Sequence, residues 1–183
     1  PFLLGRGGEE AEALVQAHIP FEVVPGISSA IAVPAYAGIP VTHRRLSSSL
    51  TIITGHEDAS KGRSSVAWEK LATGADTLIF LMGVGNLSQI VRQLLNNGCA
   101  PTTPIALIKN GTGPRQETIV DSLADIVVKA ESKNFSPPAV IVVGDVVKLK
   151  EKLRWFDCKP LFGKRILVTR ACTQASSLSQ LLS

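Results

Sequence analysis

Four uninterrupted apolar runs, at 50–54, 77–82, 104–109 and 139–143, constrain the fold more than any other feature of the chain. Each run is continuous rather than alternating. That pattern predicts strands covered on both faces, as in a sheet sandwiched between helices. The stretches between the runs have helical spacing. Leu87, Ile90, Val91, Leu94 and Leu95 form one apolar stripe, with Asn86 as the expected N-cap and Asn97-Gly98 as the stop. Leu123, Ile126, Val127 and Ala130 form another behind Asp121-Ser122. Residues 116–120 predict one more strand, paired antiparallel. Alternating strand and helix gives an α/β domain with a mixed sheet over residues 46–157.

Residues 1–45 read as the C-terminal part of a first α/β domain. Glu9-Glu10 open a helix, where acid suits the positive end of the helix dipole. Ala11, Leu14, Val15 and His18 share one face of it. Residues 21–24 predict a short strand, and residues 28–37 a helix that Pro34 must bend or break. The polar stretch 42–49 reads as the linker. After a boundary near 157–162, residues 163–170 predict a new strand and residues 173–182 an amphipathic helix, so 158–183 reads as the start of a third unit. The chain opens on Pro1 with no initiator Met, which reads as a piece of a longer protein.

Composition narrows the function. With 45% hydrophobic and 19% charged residues, the 183-residue chain has an ordinary globular make-up. Its 5% aromatic content argues against a base-stacking nucleic-acid surface. The net charge of +4 is scattered, apart from His43-Arg44-Arg45 and residues 148–154, so solvated surface is the simpler reading and no nucleic-acid partner is expected. Cys99, Cys158 and Cys172 are odd in number, far apart and without metal-ligand spacing. A reducing, cytoplasmic location and no metal are expected from them. No apolar run approaches the ~20 residues of a membrane span. His18 and His56 have no partner at ligand spacing. Asp58, Asp76 and Asp121 read as turn or cap residues.

The candidate site begins where the 21–24 run stops at Pro25-Gly26 and Ser28-Ser29 open a helix. A helix start there offers free backbone N–H groups to an anionic or zwitterionic ligand. Ser28 serves equally well as a plain N-cap. Gly5, Gly7 and Gly8 flank Arg6, which is placed to pair with a ligand carboxylate or merely with Glu9. Met82 precedes Gly83-Val84-Gly85; it is either a core filler or the lip of a turn that meets a ligand. Gly111 and Gly113 permit either close backbone approach or a simple turn. Leu3 fits a buried core position. His43 and Arg44 fit an exposed turn or a grip on anionic groups.

The segments VPGISSAIAVPAYAGIPVTHR and PFLLGRGGEE, with TGHE, LMGVGNL, KNGTGPRQ and LRWF, resemble the uroporphyrinogen-III C-methyltransferases, a branch of the tetrapyrrole methylases. The resemblance covers most of residues 1–157. It implies two α/β domains with a cofactor cleft between them, the first domain truncated here, and S-adenosylmethionine as cofactor. It places Leu3, Ser28, Ser29, Met82, Gly83 and Gly111 against that cofactor. It implies a tetrapyrrole substrate, uroporphyrinogen III, whose carboxylates Arg6, His43 and Arg44 would meet. Family members are commonly homodimers. The family's acid/base residues lie upstream of the matched residues, so no catalytic residue is expected here, and the isolated piece is expected to be inactive. The tail GKRILVTRA resembles the beginning of uroporphyrinogen-III synthases, which implies a fusion of two consecutive enzymes. Another precorrin methyltransferase, or a non-catalytic tetrapyrrole-docking domain, stays open as an alternative.

Overall fold

All four apolar runs are strands in the computed structural model, which describes residues 2–55 and 66–169. They are β1 (Leu50–Thr54), β2 (Thr77–Leu81), β3 (Pro104–Lys109) and β5 (Ala139–Val143), joined by β4 (Glu117–Ser122). The sheet order is β1-β2-β5-β3-β4. β1 and β2 run parallel, while β5 is antiparallel to both β2 and β3. β4 pairs antiparallel with β3, so the sheet is mixed, as the sequence predicts.

The continuity of the runs has a direct cause in packing. Successive side chains of a strand point to opposite faces. Leu78 and Phe80 of β2, Ile105 and Leu107 of β3, and Ile141 and Val143 of β5 face one core layer. Ile79, Ala106, Ile108, Val140 and Val142 face the other. The first layer is closed by α3 (Trp68–Gly74), α4 (Leu87–Asn96) and α5 (Ile126–Ser132). On α4 the stripe Leu87, Ile90, Val91 and Leu94 is buried as predicted. Each such side chain contributes roughly 1.5–3 kcal/mol relative to exposure.

The second layer is closed by α2 (Ser29–Tyr36), through Ala30, Val33, Ala37 and the following Ile39. Small residues on this face let the helix backbone lie close to the sheet. Pro34 lies inside this helix, where it withholds the N–H that would bond the Ala30 carbonyl, and the helix ends two residues later. Val146 and Val147 complete this layer from a 3-10 segment, Asp145–Leu149, which runs into the short α6 (Lys150–Leu153).

Several expectations change. Residues 21–24 are not a strand: no described strand lies alongside, and Val24 is 83% exposed. A lone extended segment cannot satisfy its backbone groups by pairing. α1 (Gly7–Gln16) forms, but only Gly7 is buried, and the predicted apolar face leaves Val15 60% exposed. Asn86 does not cap α4 with its side chain; its Nδ2 donates to the Gly55 carbonyl at 2.8 Å instead. α5 starts at Ile126, because Leu123 is already pinned by its N–H donating to the Thr103 carbonyl. In the stretch 42–49, read as the linker, the His43–Ser47 bridge closes a turn and Asp76 accepts from the Ser48 and Ser49 N–H groups at 2.8 and 3.0 Å. Residues 164–169 carry no strand. His56, Asp58, Cys172 and the predicted helix 173–182 lie outside the described residues. Among the described residues, no helix is long and apolar enough to cross a membrane.

Candidate functional site

Strand order brings three chain ends to one edge of the sheet. Leu81 at the end of β2 pairs with Val140, and Lys109 at the end of β3 pairs with Ala139, near the start of β5. Open α/β sheets bind ligands in such places, outside the carboxyl ends of parallel strands. A cleft of about 750 Å³ opens there. That volume falls within the ~300–1,000 Å³ of typical small-molecule sites.

Each wall comes from a different segment. Ser29 and Val33 of α2 form one side. Met82, Val84 and Gly85 follow β2, and Asn110 and Gly111 follow β3. Leu3 and Leu4 approach from the chain start, and Pro137-Pro138 close the rim beside β5. Thus four of the nine residues singled out in the sequence, Leu3, Ser29, Met82 and Gly111, line one cavity.

The turns at this edge are strained. Met82 has φ 58°, Asn110 φ 49° and Thr112 φ 69°. Asn tolerates the left-handed region, whereas Met and Thr adopt it at a cost of order 1–3 kcal/mol each. The strain turns the chain sharply off β2 and β3, which leaves the Met82 side chain 57% exposed at the cleft rather than buried at a strand end. Gly111 is needed for another reason. A Cβ there would meet the Val33 side chain at 2.5–2.9 Å, so the loop lies hard against α2.

The other five residues are placed differently. Ser28 lines an adjoining cavity of about 480 Å³, with Val23, Pro25, Gly26 and Ile27, and Leu3 is common to both cavities. The Ser28 hydroxyl accepts from the Ala30 N–H at 3.2 Å, so it is also the N-cap of α2. Gly83 is buried behind the cleft wall, where a Cβ would meet Ile90 and Ile141 methyls at 2.9 and 3.0 Å. Arg6 is exposed at the start of α1, two residues from Leu4. His43 and Arg44 occupy the turn closed by the His43–Ser47 bridge, where His43 Nδ1 accepts from the Arg45 N–H at 3.3 Å. None of these three lines either cavity.

Among the described residues, neither lining includes an ionisable side chain. Their polar groups are backbone amides, Ser28, Ser29 and Asn110. Such a surface suits a ligand with apolar parts, and its described side chains offer no acid or base. Groups with shifted titration lie elsewhere. The Asp76 carboxyl is held below the usual range by the Ser48 and Ser49 hydrogen bonds, and that of Asp121 by Lys129 and the Ser122 N–H. Burial pushes the Cys99 thiol up. Among the described residues, no three metal-ligating side chains cluster.

Sequence reasoning left out Val33, Asn110, Pro137, Pro138 and Val140 as lining residues. Their membership depends on strand order, which periodicity does not reveal. The Pro pair next to a predicted strand was the available signal.

The fold is an α/β mixed sheet with a cleft at the strand ends. The sequence pattern of the Tetrapyrrole (Corrin/Porphyrin) Methylases matches residues 1–127, and the chain belongs to that family. The S-adenosyl-L-methionine-dependent uroporphyrinogen III methyltransferase of Methanosarcina barkeri is 54% identical over 153 residues, covering 84% of this chain and 60% of that protein. The Porphyrin biosynthesis protein HemD of Ruminiclostridium josui is 45% identical over 182 residues, covering 100% of this chain and 36% of that protein. A crystal structure of uroporphyrin-III C-methyltransferase from Thermus thermophilus complexed with S-adenyl homocysteine superposes with a TM-score of 0.69. It is 33% identical, covering 81% of this chain and 64% of that one. The chain therefore spans less than two thirds of the length of these relatives.

Proposed function

We propose that this chain belongs to an enzyme that methylates ring carbons of uroporphyrinogen III, forming precorrin-2 by way of precorrin-1, with S-adenosylmethionine as donor, for sirohaem or cobalamin synthesis. The observation that carries this reading is the convergence of Leu3, Ser29, Met82 and Gly111, from four distant segments, on one apolar cleft. The names of the relatives point to the same donor and substrate.

The residues present fit the donor. The apolar walls at Val33, Leu81 and Val84 suit an adenine ring, and the bare backbone at Gly85 and Gly111 permits close approach. Ser28 and Ser29, at the start of α2, present a helix N-terminus to a carboxylate. Bound there, S-adenosylmethionine supplies an electrophilic methyl group on a sulfonium. The task of this chain is to orient and desolvate the donor, since nucleophilic strength resides in the electron-rich porphyrinogen carbon. No described residue of the cleft is assigned the ring proton. We assign Arg6, His43 and Arg44 to the substrate's carboxylates; all three are charged or polar and solvent-accessible. Gly83 supports the donor turn from behind.

The domain reading is 1–45, 46–157 and 158–183, the last as the start of a uroporphyrinogen-III-synthase-like unit. The match to the Ruminiclostridium josui protein, which runs over the whole chain, favours it. A homodimer and a cytoplasmic location rest on the family resemblance and on the cysteine pattern. The test is methyl transfer to uroporphyrinogen III by the full-length protein, followed by product mass. Two added methyl groups support the reading. Methylation only of a later precorrin, or of nothing, contradicts it.

A further inference from the structure

We propose that Gln116 is a positioning residue that sets the spacing between two walls of the cleft. It acts on the site through other groups and lines neither of the two cavities described above. The proposal rests on the donor reading above.

Gln116 is 8% exposed and stands just before β4. Its Oε1 accepts from the Thr112 N–H at 2.9 Å. Its Nε2 donates to the Tyr36 carbonyl, 80 residues away in sequence, at 3.2 Å. One planar amide thus joins the 110–113 loop to the C-terminal end of α2. Both connected elements are cleft walls: the loop carries Asn110 and Gly111, and α2 carries Ser29 and Val33.

Three features make this bond more than a local turn contact. The loop is held in an unfavourable backbone conformation at Thr112, so it needs external restraint to keep it. Gly111 is already pressed on Val33, so the two walls have one close-packed spacing. The bond also demands an acceptor and a donor from one side chain at fixed separation, which a glutamine amide provides and neither Glu nor Met does. Trp155 offers an internal control. Its Nε1 donates to the Ala35 carbonyl at 3.0 Å, so this bond anchors the same end of α2 and does not involve the loop.

The test uses the full-length protein with Gln116→Met, Gln116→Glu and Trp155→Phe. Three quantities are read: the KM and kcat for S-adenosylmethionine, the Kd for S-adenosylhomocysteine by calorimetry, and hydrogen exchange at the Thr112 amide. Gln116→Met is expected to raise KM and Kd about tenfold, the scale of one or two lost hydrogen bonds, with kcat within about twofold. Gln116→Glu keeps the acceptor and is expected to fall between wild type and Met, which also covers the case of a poorly folded Met variant. Trp155→Phe is expected to lower the melting temperature without changing KM. Thr112 exchange accelerates most in Gln116→Met, which loses the acceptor, less in Gln116→Glu, which keeps it, and not in Trp155→Phe. Unchanged KM and Kd in the Gln116 variants would overturn the proposal, as would an equal KM shift in Trp155→Phe. If wild type binds no S-adenosylhomocysteine, the donor reading falls, while Thr112 exchange still decides whether Gln116 holds the loop.

Discussion

Val33 occupies the space that a side chain at Gly111 would need: a Cβ built on Gly111 lies 2.5 Å from one Val33 methyl and 2.6 Å from the other. The contact joins α2 to the loop after β3 and places bare backbone at the cleft.

Gly111→Ala must therefore push the loop off α2 or into the cavity. The expected result is a loss of about 1–3 kcal/mol in stability, the range for overpacking, and at least ~tenfold weaker donor binding. Val33→Ala in the same chain makes room and is expected to restore part of both. Denaturant unfolding and calorimetric titration of the single and double variants check this. Equal affinity in Gly111→Ala and wild type would mean that the loop does not meet the donor.

Gly83→Ala separates wall from lining. Its Cβ would point at Ile90, Ile141 and Phe80 in the core, away from the cleft. The change is expected to cost about 1–3 kcal/mol through overpacking. Affinity among the folded molecules is expected to fall much less than in Gly111→Ala. Chemical denaturation and donor titration on one preparation give both quantities.

Met82 is strained, and relief is measurable. At φ 58°, a residue with a Cβ is disfavoured by roughly 1–2 kcal/mol. Met82→Gly removes that cost and adds glycine's unfolded-state freedom of about 0.5–1 kcal/mol. Its unfolding midpoint is expected to equal or exceed that of wild type, while Met82→Val is expected to lose more than about 1 kcal/mol. Donor affinity falls in both, because the exposed side chain leaves the cleft.

Asp76 gives a pH signature. Its carboxyl is held below the usual range, first by the Ser48 N–H, then by the Ser49 hydroxyl and N–H. In the window between the folded and unfolded pKa values the unfolded chain binds more protons, so stability rises with pH there. The contribution is complete above about pH 4 and disappears as pH falls through the lowered folded value. Asp76→Asn is expected to flatten part of the acid-side decline in melting temperature. The slope left behind belongs partly to Asp121, held down by Lys129. An unchanged slope in Asp76→Asn would exclude this role.

The strands were legible because burial on both faces writes itself as continuous apolar runs, as at 104–109 and 139–143. The α4 stripe was legible for the complementary reason, a single buried face. Residues 21–24 misled because β-branched character marks a strand only when a neighbour supplies hydrogen bonds. Asn86 misled because its amide found the Gly55 carbonyl, a partner 31 residues away that no local rule could anticipate. At the site, Ser28 and Ser29 were visible as a helix start, and Gly111 as a place for close approach. That Pro137 and Met82 line one cleft depends on strand order, which residue spacing does not encode, and the positive φ of Met82 and Thr112 has no residue-type signal.

The most direct measurement follows backbone amides of the isotopically labelled full-length protein during titration with S-adenosylhomocysteine. Saturable shifts concentrated at Ser29, Met82 and Gly111, with the β4 amides unmoved, are the predicted result. Shifts confined to other surfaces, or none at millimolar ligand (affinity weaker than about −4 kcal/mol), would contradict the assignment of this cleft to the methyl donor.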